Sequence, residues 1–219
     1  SAASDVYKRQ AHKNWYATER GITGETLDAF GVHSTSEEWL IMPYDTGERS
    51  RKMIGEREFR FSKGAKTCLY HAQELDASKS YCFLVEGESD TMRLWQEGYK
   101  NTFGLPGFNT FRDEMLKPLE QYERVFVILD NDTNYNTRIT VDKAWGRMRG
   151  ILGAKARRVV LPDDVKDVCE FFESYTNDTF KSIVKESLSG NYHYKALDLS
   201  IPPPEYEWLV KGLICQGDT

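Results

Sequence analysis

Three groups of carboxylates punctuate the second half of the chain: Glu86, Glu88 and Asp90 in "VEGESD", Asp130 and Asp132 in "LDNDTN", and Asp163, Asp164 and Asp167 in "PDDVKD". Each follows an apolar run, "YCFLV", "RVFVIL" or "RRVVLP", that reads as a buried strand. If those strands are parallel neighbours, the acids converge at one sheet edge. Ionised carboxylates held together repel one another and raise their own proton affinity unless a cation neutralises them. Mg²⁺ (or Mn²⁺) is the matching ion, because it is hard, prefers oxygen, and leaves coordination positions for water and substrate phosphate. The chemistry this allows is phosphoryl transfer, in which a carboxylate beside the ion accepts a proton from the attacking hydroxyl.

The spacing supports a shared ion. Asp130 and Asp132 stand at i, i+2 where a strand ends, so both side chains can face one side. Gly87 permits an abrupt turn after the strand, Ser89 can cap the next helix, and Asp90 can sit on its positive end. Glu86 is left facing the site. An EF-hand loop does not fit, since from Asp130 the sixth position is Tyr135 rather than Gly and the twelfth is Val141 rather than Glu. The plainer alternative is that these acids merely shape turns and cap helices.

The elements that must position these acids follow from periodicity. From Tyr81 onward apolar strands alternate with amphipathic helices, expected over 90–97, 110–121, 138–151 and 167–173, which predicts an α/β architecture with a parallel sheet covered on both faces. Ligands of such sheets lie beyond the carboxyl ends of the strands. Before it, "NWYATERGITGETLDAF" reads as two short helices, with Gly21 ending the first and Thr23 or Gly24 starting the second. "EWLIMPY", "RKMIGEREFRFS" and "CLYHAQEL" then read as short antiparallel strands broken by Pro43, Gly47, Gly55 and Gly64. Four segments result: 1–10, read as a non-native leader; 11–79, a small basic α+β unit; 80–188, the α/β unit, ending in a helix near 177–188; and 189–219, a linker stiffened by a triple proline.

At 219 residues with 40% hydrophobic content the chain can bury a core, and its net charge of −5 argues against a wholly basic nucleic-acid coat. Locally the balance inverts. Between residues 49 and 66 stand seven cations, Arg49, Arg51, Lys52, Arg57, Arg60, Lys63 and Lys66, against Glu56 and Glu58, a strip able to neutralise phosphates. Arg147, Arg149, Lys155, Arg157 and Arg158 form a second basic group, and "GLPGF" at 104–108 is a turn that could approach a nucleotide. Cys68, Cys82, Cys169 and Cys215 show no CxxC pair and are read as reduced, and the scattered histidines are not read as metal ligands. No apolar run approaches the roughly 20 residues that cross a bilayer, so a soluble, cytoplasmic protein is expected.

With these features in place, "EGESD" after one strand and "DND" after a later one resemble the TOPRIM domain of topoisomerases and primases. "RGITGETLDAFGV" and the stretch "LIMPYDTGERSRKMIGEREFRFSKGAKTCLYHAQEL" resemble the polymerase core and basic amino-terminal subdomain of bacterial and bacteriophage DNA primases. The resemblance spans about residues 14–173. It implies that Glu86 is the catalytic glutamate, that Asp90 is the second acid of that motif, and that Asp130 and Asp132 are the metal-binding pair. Asp167 resembles the third acidic motif, but where the family often has another Asp two residues on, this chain has Cys169. It further implies short RNA primers made from ribonucleotides on single-stranded DNA, in a bacterial or phage-infected cell. "PPPEYEWLVKGLICQGDT" resembles the linker and first strand of a RecA-like ATPase, so a replicative helicase domain in the same full-length chain is expected. The rival readings are a TOPRIM nuclease and a nucleic-acid-binding module dependent on other domains.

Overall fold

A computed structural model describes residues 2–107, 111–132 and 135–189. The first helix, α1 (Ala2–Arg20), is longer than the sequence reading allows, because no Gly or Pro interrupts it before Gly21. It takes in the segment set aside as a leader. The next helix, α2 (Gly24–Ala29), starts as expected, with the Thr23 hydroxyl accepting the Thr26 N–H. An antiparallel sheet follows in the order β1 (His33–Ser34), β2 (Trp39–Tyr44), β3 (Gly47–Lys52), β4 (Phe59–Phe61). The expected strand in "CLYHAQEL" is reduced to a single bridge between Tyr70 and Gly104, followed by a 3₁₀ turn at Ala72–Glu74.

The second sheet is wholly parallel: β5 (Tyr81–Glu86), β6 (Thr102–Leu105), β7 (Arg124–Ile128) and β8 (Ala156–Val159) lie in the order β6-β5-β7-β8. Between them run α3 (Gly87–Gln96), a 3₁₀ segment (Asp113–Gln121), and α4 (Tyr135–Leu152), and then α5 (Val168–Ser174) and α6 (Asn177–Glu186) close the unit. The predicted helix over 110–121 is 3₁₀ where described, and Pro118 within it has no N–H to give an α-helical bond. Alternation along the strands builds a core on each face. Cys82, Leu84, Val125 and Val127 pack with Leu116, Leu119 and Met148, while Tyr81, Phe83, Val85, Phe126 and Ile128 pack with Phe171, Phe180 and Val184. A third cluster joins the two units, in which Tyr16, Leu27, Leu40, Met42 and Tyr70 meet Met92 of α3 and Cys169 of α5.

The chain is thus α/β, with a four-stranded parallel sheet flanked by helices and preceded by a small α+β unit. No described helix is long and apolar enough to cross a membrane. The segment 190–219, with its linker and ATPase-like start, lies outside the described residues.

Candidate active site

Strand order reverses between β5 and β7, since β5 connects outward to β6 and the chain returns past it to β7. A crevice opens there beyond the carboxyl ends of the strands. Glu86 is the last residue of β5, and Asp130 lies two residues beyond β7. A cleft of about 130 Å³ is lined by Glu86, Glu88, Asp90, Asp130 and Asp167 together with the cations Arg20, Arg49, Arg51, Arg57 and Lys166. Pro106 and Gly107 of the "GLPGF" turn form part of its wall, whereas Phe108 lies outside the described residues.

Two glycines make the approach possible. Gly87 has φ +80°, so the chain turns from strand to helix within one residue and α3 starts at once rather than near residue 90. Ser89 therefore lies inside the helix and does not cap it. On the neighbouring strand, a Cβ on Gly104 would lie 2.6 Å from the Gly87 carbonyl and 2.3 Å from the Thr91 hydroxyl, which itself donates to that carbonyl at 2.8 Å. Only a bare backbone lets β6 lie this close to the acidic turn.

Three of these carboxylates, Glu86, Asp90 and Asp130, are crowded enough to repel one another. Burial pushes Glu86 up to about 7, and the nearby Asp132 charge adds to this, while the Asp130 backbone N–H, Lys166 and Arg57 hold it back. Burial also raises Asp130, followed by repulsion from Asp90, Glu86 and Asp167. Asp90 is raised by burial and then by Asp167. Glu86 keeps one oxygen, Oε2, buried and without a hydrogen-bond partner among the described residues. An orphaned buried acceptor beside repelling acids is what a hard divalent cation satisfies, so this donor set fits Mg²⁺ or Mn²⁺.

The remaining expected site residues divide. Asp132 is not among the residues lining the cleft, although its charge reaches Glu86; β7 ends at Ile128, so the side-to-side alternation of a strand does not govern 130 and 132. Asp167 caps α5 by accepting the Glu170 N–H at 2.9 Å, and its other oxygen accepts from Arg20 at 3.0 Å. Glu88 also lines the cleft, where it pairs with Arg49 at 2.5 Å and accepts from the Tyr44 hydroxyl at 2.6 Å. Asp164 accepts from the Tyr175 hydroxyl at 2.8 Å, and neither it nor Asp163 lines the cleft.

Strand parity splits the basic strip. Arg49 pairs with Phe61 and Arg51 with Phe59 across β3 and β4, so both guanidiniums lie on the inner face: Arg49 is 4.2 Å from the Phe59 ring centre and Arg51 is 4.3 Å from that of Trp15. Arg57 joins them over Phe59. Lys52 and Arg60 take the opposite face, where Arg60 stacks on Trp39 at 4.4 Å and pairs with Glu58. Lys63 and Lys66 are exposed and lie outside the cleft lining. The second basic group serves locally, with Arg147 on Asp113 and Arg158 on Asp142. Sequence reasoning missed Arg20 and Lys166. Their signals were a cation in the last turn of a helix, beside Gly21, and a lysine adjoining Asp167 in a strand-end loop.

Residues 83–172 match the family model described as Toprim-like. No curated protein matches the sequence significantly. The fold is similar to the crystal structure of the Aquifex aeolicus primase zinc-binding and RNA polymerase domains, with TM-score 0.64, 18% identity, and coverage of 81% of this chain and 58% of that one. It is also similar to the primase fragment of the bacteriophage T7 primase-helicase, with TM-score 0.56, 18% identity and coverage of 76% and 72%. The E. coli primase catalytic core matches with TM-score 0.62, 16% identity and coverage of 97% and 90%. The chain thus carries a Toprim-like segment within the fold of primase catalytic cores, and spans little more than half of the Aquifex aeolicus structure.

Proposed function

We propose that the chain is the catalytic core of a DNA primase, joining ribonucleotides into short primers on single-stranded DNA. The observation that carries this reading is the convergence of Glu86 and Asp130 at the switch point of a parallel sheet, in one cleft with Arg20, Arg57 and Lys166. Glu86 and Asp130, which line the cleft, are the residues that would hold a divalent cation, with Asp132 near enough for its charge to reach Glu86. When bound, Mg²⁺ or Mn²⁺ supplies neutralisation of nucleotide phosphate charge. Glu86, at the end of β5 and facing the cleft, would accept the proton of an attacking 3′-hydroxyl. Arg57 and Lys166 present positive charge to phosphates entering the cleft. Arg49 and Arg51, stacked on Phe59 and Trp15, form a rigid cationic wall along the template side.

A place within a primase-helicase is part of the proposal. It is supported by the tail "PPPEYEWLVKGLICQGDT" and by similarity to the T7 fragment. The test is template-dependent primer synthesis with Mg²⁺ or Mn²⁺. Glu86→Gln and Asp130→Asn should each abolish it while leaving the fold intact by circular dichroism. Undiminished synthesis in either variant rejects that residue's role. DNA cleavage without nucleotides, and no synthesis with them, selects a nuclease instead.

A further inference from the structure

The acidic cleft holds two sets of donors with different chemistry, and Asp130 feels the charge of both. In one, Glu86 offers an unpartnered buried oxygen beside Asp130. In the other, Asp90, Asp167 and Cys169 bring their ligand atoms within 4.8 Å of one another, with side chains almost wholly buried. The second group looks like a place for another cation, but three of its four carboxylate oxygens already accept hydrogen bonds. One Asp167 oxygen takes the Glu170 N–H at 2.9 Å and the other takes the Arg20 guanidinium at 3.0 Å. Asp90 Oδ1 takes the Cys169 N–H at 3.2 Å. The third member is a buried thiol, a soft donor poorly suited to Mg²⁺ or Mn²⁺. Arg20, meanwhile, is delivered by the last turn of α1, across the boundary between the two units, onto Asp167 at 3.0 Å in the lining of the cleft.

We infer that this centre takes one divalent cation, at Glu86 and Asp130, and that Arg20 is the resident second positive charge, neutralising Asp90 and Asp167 where another ion would otherwise be required. The inference rests on the metal-dependent primase reading and specifies the number of ions it uses. A guanidinium carried on its own helix does not dissociate from the protein as a bound ion can. The second charge is therefore built in by folding, and only the first responds to cation concentration.

The experiment counts bound Mn²⁺ by electron paramagnetic resonance during titration of the whole chain. One ion per chain is expected. Asp130→Asn should weaken it by more than the roughly 10- to 100-fold that loss of an outer partner costs, while Asp167→Asn should leave its affinity unchanged. The double variant Arg20→Gln with Cys169→Asp removes the guanidinium and supplies a hard oxygen donor, and it should bind a second Mn²⁺. Two ions in the wild type overturn the inference and leave the primase reading standing, as does a single ion lost on Asp167→Asn but not on Asp130→Asn. Failure of the double variant to gain an ion overturns the assignment of Arg20. No bound ion at millimolar Mn²⁺ overturns the metal-dependent reading itself.

Discussion

Arg49 of β3 and Glu88 of α3 meet at 2.5 Å across the boundary between the two sheets, with side chains only 11% and 6% exposed. Tyr44 donates to the same carboxylate oxygen, and Phe59 and Phe61 flank the guanidinium. Glu88 is the middle acid of "EGESD", and its work is to lock the basic sheet onto the acidic turn. The cationic wall is thereby fixed relative to Glu86, two residues away.

Breaking this pair from one side strands a buried charge. Arg49→Met or Glu88→Leu alone should cost about 3–5 kcal/mol, lowering the melting temperature by on the order of 10 °C. Replacing both removes the stranded charge, so the double variant should be more stable than either single one. A thermal-melt double-mutant cycle checks this, and additive losses would show that the two residues do not depend on each other.

The carboxylate cluster sets a pH dependence of opposite sign to ordinary acid denaturation. Burial holds Glu86 and Asp90 up at about 7, and Asp130 is also raised, so the folded chain binds more protons than the unfolded one. Their contribution to stability is complete below the ordinary carboxylate range and is lost as pH rises through about 7. Melting without divalent ions should therefore drop between pH 5 and pH 8 by an amount that Asp130→Asn reduces. Mn²⁺ at a hundredfold over its dissociation constant should restore about 2.7 kcal/mol, and at one fixed Mn²⁺ concentration the gain should be larger at pH 8 than at pH 5.

Much of the fold was legible because β5 and β7 are continuous apolar runs that only a strand buried on both faces accommodates. The convergence of Glu86 with Asp130 followed from that parallel order. The basic strip was legible as composition but not as geometry. Counting cations cannot say that Arg51 faces inward and Lys52 outward, because that depends on which face of β3 the third hydrophobic cluster covers. Arg20 lies far from the acids in sequence, and its role exists only once α1 packs against α5.

That parity makes a prediction about nucleic acid. Arg57→Ala and Lys166→Ala each remove a cation from the cleft lining and should weaken single-stranded DNA binding. Each should also reduce the slope of log affinity against log salt by about 0.7. Arg60→Ala removes a cation stacked on Trp39 on the other face, and should leave the slope unchanged. Fluorescence anisotropy across a salt series distinguishes the two classes, and equal slopes for all three would refute the division.

Gly104→Ala drives a methyl group against the Thr91 hydroxyl and the Gly87 carbonyl. Overpacking of this kind costs about 1–3 kcal/mol. Because Gly87 adjoins Glu86, primer synthesis should fall further than the loss of folded protein explains. Adding Thr91→Ala relieves the side-chain clash but not the backbone one, so it should recover stability only in part. Full recovery in the double variant would place the strain at Thr91 alone.

The cluster that seats Met92 and Cys169 among Tyr16, Leu27 and Tyr70 means that a motif boundary is not a fracture plane. Cutting the chain near residue 80 would separate every carboxylate of the cleft from its arginines and open a greasy wound along α3 and α5.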